Sequence, residues 1–291
     1  MNFETINGWQ LLRSERGGPE PAFHSLTERL TMKPSLSIRG ALSLLAMALA
    51  SAASAQVVQS APSPAAAPSS IECQAPLVHE AGDVVATMKK ALAEQIPVEK
   101  AAAKAAVGRR LVAMGNADMD IRHIAMQTVH QCNVAFGSRG MAPIMLAGRE
   151  INQATRSELL RILDSTGWPT ISGYGAEADK AAFVITQHAD KDLALQRRVL
   201  GMLEGLIAKG DTDKENYALL YDRVQVNEGR PQRYGTQGGC ENGKWVSAKT
   251  EDEPGLAKRR ASMKLPDLAE WSVTVAEMYC KKGPATLSSS K

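Results

Sequence analysis

The sequence predicts a mainly α protein, a single-domain bundle of about seven to eight helices with turn chemistry for a small β-hairpin near its C-terminal end. Three observations carry this. Aromatic residues make up only 4% of 291 residues while 44% are hydrophobic, so the core must be Ala, Leu, Val, Ile and Met. Such a core favours packed helices over a β-sandwich. Apolar residues recur at threes and fours between Leu77 and Cys280, the helical spacing. Glycine and proline then cut that span into helix-length pieces.

In chain order, Met1–Thr31 is polar and irregular and reads as an upstream or disordered extension. Met32 opens a secretory signal pattern over 32–55. Lys33 and Arg39 form its basic region, Ala41–Ala50 its apolar run, and Ala53-Ser54-Ala55 a small-residue cleavage site. A run of ten residues is about half of a membrane span. No stable membrane anchor is expected after cleavage, and the expected location is periplasmic or secreted. An uncleaved anchor is the alternative. Residues 56–71 are rich in Ala, Pro and Ser and read as a disordered linker.

The helical domain is expected over 72–280, with a mobile tail over 281–291. Val84, Val85, Met88 and Leu92 mark a helix over Leu77–Ile96, which Pro97 ends. Val98–Met114 follows, with Gly115-Asn116 as its stop, and Asp118–Cys132 is a further helix. Phe136–Pro143 reads as a loop and Thr155–Ser165 as a short buried helix, stopped by Gly167. Helices over Ala176–His188, Lys191–Lys209 (capped by Asp190) and Asp213–Val226 come next. Gly238–Trp245 has hairpin turn chemistry. A short helix through Met263 and a last one over Leu265–Cys280 complete the bundle.

The net charge of +3 comes without any dense Lys/Arg block, so nucleic acid is not an expected partner. Cys73, Cys132, Cys240 and Cys280 all lie beyond the signal, and in an oxidising compartment disulfides are the default. Cys73–Cys132 and Cys240–Cys280 are the expected pairs, each closing a loop within one half of the domain. The cysteines lack metal-ligand spacing, and neither a metal nor a cofactor is expected.

Arg223 falls in the buried stripe set by Leu219, Leu220 and Val226, where a guanidinium is costly unless paired. Asp222, Asp190 and Asp118 are its candidate partners. It is either a structural salt bridge or a clamp for a substrate anion. His188 lies at the edge of an apolar face. It could be a satisfied core histidine, a general base oriented by Asp190, or a metal ligand without a clear third partner. His188, Asp190 and Arg223 are therefore the candidate catalytic residues. Gln187, Asp222, Gln232, Tyr234, Thr236 and Gln237 are candidate binding groups, with Trp168 as a stacking wall or core residue. Asp118 and Arg122, four apart, read as a helix ion pair.

Gly167-Trp168-Pro169-Thr170, Gln187-His188-Ala189-Asp190, Asp222-Arg223-Val224, Gln232 and Tyr234-Gly235-Thr236-Gln237 occur in that order. With Asp118, Arg122 and Arg259-Arg260, they make the chain resemble a bacterial family, the domain-of-unknown-function family 6624, over roughly Met114–Glu270. The resemblance implies a single domain and no settled biochemistry. Against that family, Gly238–Val246 with Cys240 and the cysteine-bearing tail are additions, which fit export. Three roles stay open: a hydrolase-type enzyme on a small anionic or peptide substrate, a non-catalytic peptide or small-ligand binding module, and a purely structural polar core.

Overall fold

The computed structural model describes residues 70–280. The expected extension 1–31, signal peptide 32–55, most of the linker and the tail 281–291 lie outside the described residues. The helices are α1 (Ser70–Ala93), α2 (Lys100–Gln131), α3 (Ala142–Thr166), α4 (Ile171–Tyr174), α5 (Ala176–His188), α6 (Leu193–Ile207) and α7 (Lys214–Asn227). Strands β1 (Gly238–Glu241) and β2 (Lys244–Ser247) follow, then α8 (Leu256–Ser262), α9 (Leu268–Val275) and a π-helical turn (Ala276–Cys280). The architecture is mainly α, with one antiparallel hairpin among the described residues. Asn242 and Gly243 take positive φ of 51° and 77°, the two-residue turn that Asn-Gly favours.

Several boundaries differ from those expected, among them the following. Helix α1 begins at Ser70, so the last two linker residues are already helical. Helix α2 is one continuous helix of 32 residues and does not stop at Gly115. A β-carbon on Gly115 would lie 2.7 Å from the Ala181 side chain, so this glycine serves close helix packing instead. Helix α3 starts at Ala142, because Pro143 occupies its first turn, where a missing N–H costs nothing. Finally, Asp192 rather than Asp190 caps α6, accepting from the Leu195 amide. Gly167 ends α3 at φ 75°, as expected, with its N–H on the Leu163 carbonyl.

Helices α2 and α5 run parallel, side by side. Arg122 and His188 touch at a sequence offset of 66. The same offset relates Gly115 to Ala181 and Gly108 to Tyr174, two further close approaches. Gly108, Gly115 and Arg122 are thus spaced by sevens, a seam on one helix face. Gly115 draws α2 and α5 together, Gly108 admits the Tyr174 carbonyl at the end of α4, and the third position of the seam carries the polar contact. Gly115→Ala is expected to lower the unfolding free energy by about 1–3 kcal/mol through overpacking, outweighing alanine's roughly 1 kcal/mol helix preference. Adding Ala181→Gly should restore much of the loss in urea denaturation. Equal stability of Gly115→Ala and the parent would contradict the close approach.

Phe183, Leu111, Met114, Leu159, Val199, Leu220 and Trp271 share the larger core cluster. Met88, Ile121, Ile124, Ile144 and Ile151 form a second one among α1, α2 and α3. Asp118 and Arg122 lie on α2 where the two clusters meet. The disulfides pair as expected, Cys73 with Cys132 and Cys240 with Cys280. They close separations of 59 and 40 residues. Such a crosslink typically stabilises by about 2–4 kcal/mol. No helix among the described residues is long and apolar enough to cross a membrane.

Candidate functional site

Asp118 and Arg122 are one helical turn apart on α2 and both are buried. Arg122 donates from Nε to Asp118 Oδ2 and from Nη2 to Asp118 Oδ1, each at 3.2 Å. Its Nη2 also reaches Asn152 Oδ1 at 3.4 Å. His188, the last residue of α5, sets its Nδ1 against Asp118 Oδ2 in a short contact, with Arg122 Nε 2.9 Å away. Gln187 Nε2 is 3.4 Å from His188 Nε2.

Asp118 and Arg122 both face Nδ1, the first as an acceptor and the second as a donor. A carboxylate only accepts, so an Nδ1 bonded to Asp118 carries the proton. The Arg122 Nε–H lies between His188 Nδ1, 2.9 Å away, and the Asp118 carboxylate, 3.2 Å away. The amide of Gln187 can donate to the Nε2 lone pair. With the proton on Nε2 instead, two lone pairs would face each other at Asp118. With the proton on Nδ1, the imidazole presents Nε2 as its basic atom, backed by a carboxylate.

Burial lowers the His188 pKa from its ordinary 6.5, and the neighbouring Arg122 guanidinium lowers it further, against the pull of Asp118. Both effects favour the neutral ring. For Asp118 burial acts upward, but Arg122 and His188 outweigh it and hold the carboxyl well below its usual range. Arg223 donates from Nη1 to Asp190 Oδ1 at 2.6 Å. Its own side chain is 2% exposed, whereas that of Asp190 is 33% exposed, so this pair reaches from the interior to water. Burial draws the Arg223 pKa down and Asp190 draws it back up. Arg223 also lowers the His188 pKa, which couples the two pairs electrostatically.

The structure thus brings together His188, Arg223 and Asp190, but Asp190 binds Arg223 and Asp118 takes the orienting place expected of Asp190. Asp118 carried a sequence signal, its i,i+4 spacing from Arg122. Asn152 carried none.

The other candidates make a separate network. Asp222 is fully buried and accepts from the amides of Arg233 (2.8 Å), Tyr234 (3.0 Å) and Thr236 (2.9 Å), and from the Thr236 hydroxyl (2.9 Å). Burial raises its pKa against those donors. Gln232 spans the same loop, accepting from the Gln237 amide and donating to the Gln237 and Ala248 carbonyls, each at 2.8 Å. The Gln237 side-chain Nε2 donates to the Thr236 hydroxyl at 3.1 Å. Tyr234 meets Tyr221 edge-on, and burial pushes its phenol up to about 12. Arg260 closes the loop from below, donating to the Tyr234 and Pro266 carbonyls. Trp168 is core, its indole N–H on Asp179 at 2.6 Å. Thr212 and Asn216 donate to that carboxylate as well. Sequence reasoning missed Asp179, which sits among the alanines of the α5 stripe. No group of three or more His, Cys, Asp or Glu among the described residues is arranged to hold a metal.

Against known proteins, one family model, described as Family of unknown function (DUF6624), matches residues 106–283. That span holds every residue of both networks. No curated protein and no solved structure matches the chain.

Proposed function

The chain belongs to this family of unknown function, and from that premise and the geometry of α2, α5 and α7 we propose an exported hydrolase-type enzyme acting on a small anionic or peptide substrate. His188 is its general base. One observation carries the reading: the Asp118 carboxylate on Nδ1 leaves Nε2 as the basic atom of a neutral imidazole. A base held this way can take a proton from a water attacking a carbonyl or phosphoryl group, a role worth about 10²–10⁴ in rate. Arg223 is the anion clamp, reaching the surface through Asp190. Two disulfides and the signal pattern over 32–55 support export.

The mature chain, residues 56–291, assayed on chromogenic esters, phosphate monoesters and peptide anilides tests the proposal. Turnover of one class is expected, with His188→Gln lowering kcat at least about 100-fold while melting stays close to the parent. The sign of the pH dependence follows from the lowered pKa. Neutral His188 is the active form, so activity should rise with pH through a value below 6.5 and be level by neutrality.

A second reading, a structural polar core, is favoured by the burial of Asp118, Arg122 and Arg223. It predicts no turnover of any class and a large loss of stability in His188→Gln.

A further inference from the structure

A broad groove of about 420 Å³ opens between α2 and the junction of α4 with α5. That is about 14 water volumes at ~30 Å³ each, and it falls within the roughly 300–1,000 Å³ of small-molecule sites. Small side chains make the room. A β-carbon on Gly108 would come 3.2 Å from the Tyr174 carbonyl oxygen, and Ala105, Ala113 and Ala178 add only methyl groups. Val112 adds further apolar surface.

Three polar side chains line the same groove and face water with hydrogen-bonding capacity to spare. Glu177 and Asn116 are exposed, and among the described residues neither side chain has a partner. The Arg109 side chain is 63% exposed, and its contact among the described residues is Nη2 to Glu94 Oε1 at 3.3 Å. Arg109 stands on α2 and Glu177 on α5, so the two walls carry opposite charges. The offset of 66 residues between facing positions puts Glu177 level with Leu111. That is about 3 Å along the axis from Arg109, so the charges face across the groove.

We propose that this groove binds a dipeptide with free termini and apolar side chains. Arg109 takes the carboxylate, as a guanidinium fork does, and Glu177 takes the ammonium. Two extended residues span about 7 Å, a length suited to joining one wall to the other. Asn116 offers both a donor and an acceptor to the peptide group, and the alanines with Val112 receive the side chains. The site goes beyond the hydrolytic reading and does not depend on it. Asn116, the groove residue nearest Arg122 along α2, is still about 9 Å from it along the helix axis.

Ala-Leu is the probe, titrated by calorimetry into residues 56–291 at neutral pH and low salt. Saturable millimolar binding is expected. N-acetyl-Ala-Leu and Ala-Leu amide should each bind about three- to fivefold more weakly. Glu177→Gln should weaken Ala-Leu by a similar factor and leave N-acetyl-Ala-Leu unchanged, and Arg109→Gln should do the same with respect to the amide. Ala113→Trp, at a half-buried position, fills the groove and should remove binding. His188→Gln should leave Ala-Leu binding as in the parent. Absence of saturable Ala-Leu binding, equal binding of the capped forms, or free leucine binding as tightly as Ala-Leu would overturn the proposal. So would loss of binding in His188→Gln, which would place the dipeptide at the imidazole instead. Ala-Leu binding without turnover of any chromogenic substrate removes the hydrolytic role and leaves the groove.

Discussion

Asp222→Ala should be among the most destabilising single substitutions in this chain, lowering the unfolding free energy by about 3–5 kcal/mol. The carboxylate is the hub of the loop after α7, taking three backbone amides and one hydroxyl in a site closed to water. Each orphaned buried donor costs about 1–3 kcal/mol. Relief of the carboxylate's own burial returns part of that. Asp222→Asn should cost less, because an amide oxygen still accepts while its NH2 meets donors. Urea denaturation measures both. A loss under about 1 kcal/mol for the alanine variant would mean that the loop is held by other contacts, chiefly Gln232 and Arg260.

Asp118→Asn should act on stability and chemistry together. Removing one charge strands Arg122 in the interior, a change that costs about 3–5 kcal/mol when a buried pair is broken. The asparagine can also turn its NH2 to Nδ1 and so favour the wrong tautomer, with Nε2 protonated and unable to act as base. Turnover should fall about 10²–10⁴-fold even below the melting transition. Asp118→Leu with Arg122→Met removes both charges and should recover much of the stability but none of the activity. Recovery of activity in that double variant would exclude the pair from the chemistry.

Much of the fold could be read before any coordinates. The apolar spacing bounds α5 at Ala176 and His188, as the structure does. Asn242-Gly243 marks the hairpin, and the disulfide pairing follows from loop economy. The burial of Arg223 follows from its place in the stripe of Leu219, Leu220 and Val226, but its partner does not. Three aspartates were chemically equivalent choices, and only tertiary packing selects Asp190. The same holds for His188, whose orienting carboxylate lies 70 residues away. Gly115 shows why boundaries fail. A glycine reads as a stop when its neighbour is unknown and as a packing contact once Ala181 is set against it. The seven-residue spacing of Gly108, Gly115 and Arg122 is visible in the chain, yet its meaning needs α5 alongside. Gln232, Tyr234, Thr236 and Gln237 look like ligand-binding groups because they are polar and glycine-bounded. Their hydrogen bonds instead turn inward, onto Asp222 and the loop's own backbone.

The central claim is that His188 is a neutral base with its proton on Nδ1. Nitrogen-15 NMR of the labelled chain, with His188→Gln to assign the ring among five histidines, reads this without any substrate. The expected spectrum has a protonated Nδ1 and an unprotonated Nε2 at neutral pH, with titration below 6.5. A proton on Nε2, or an imidazolium persisting at neutral pH, would contradict the account.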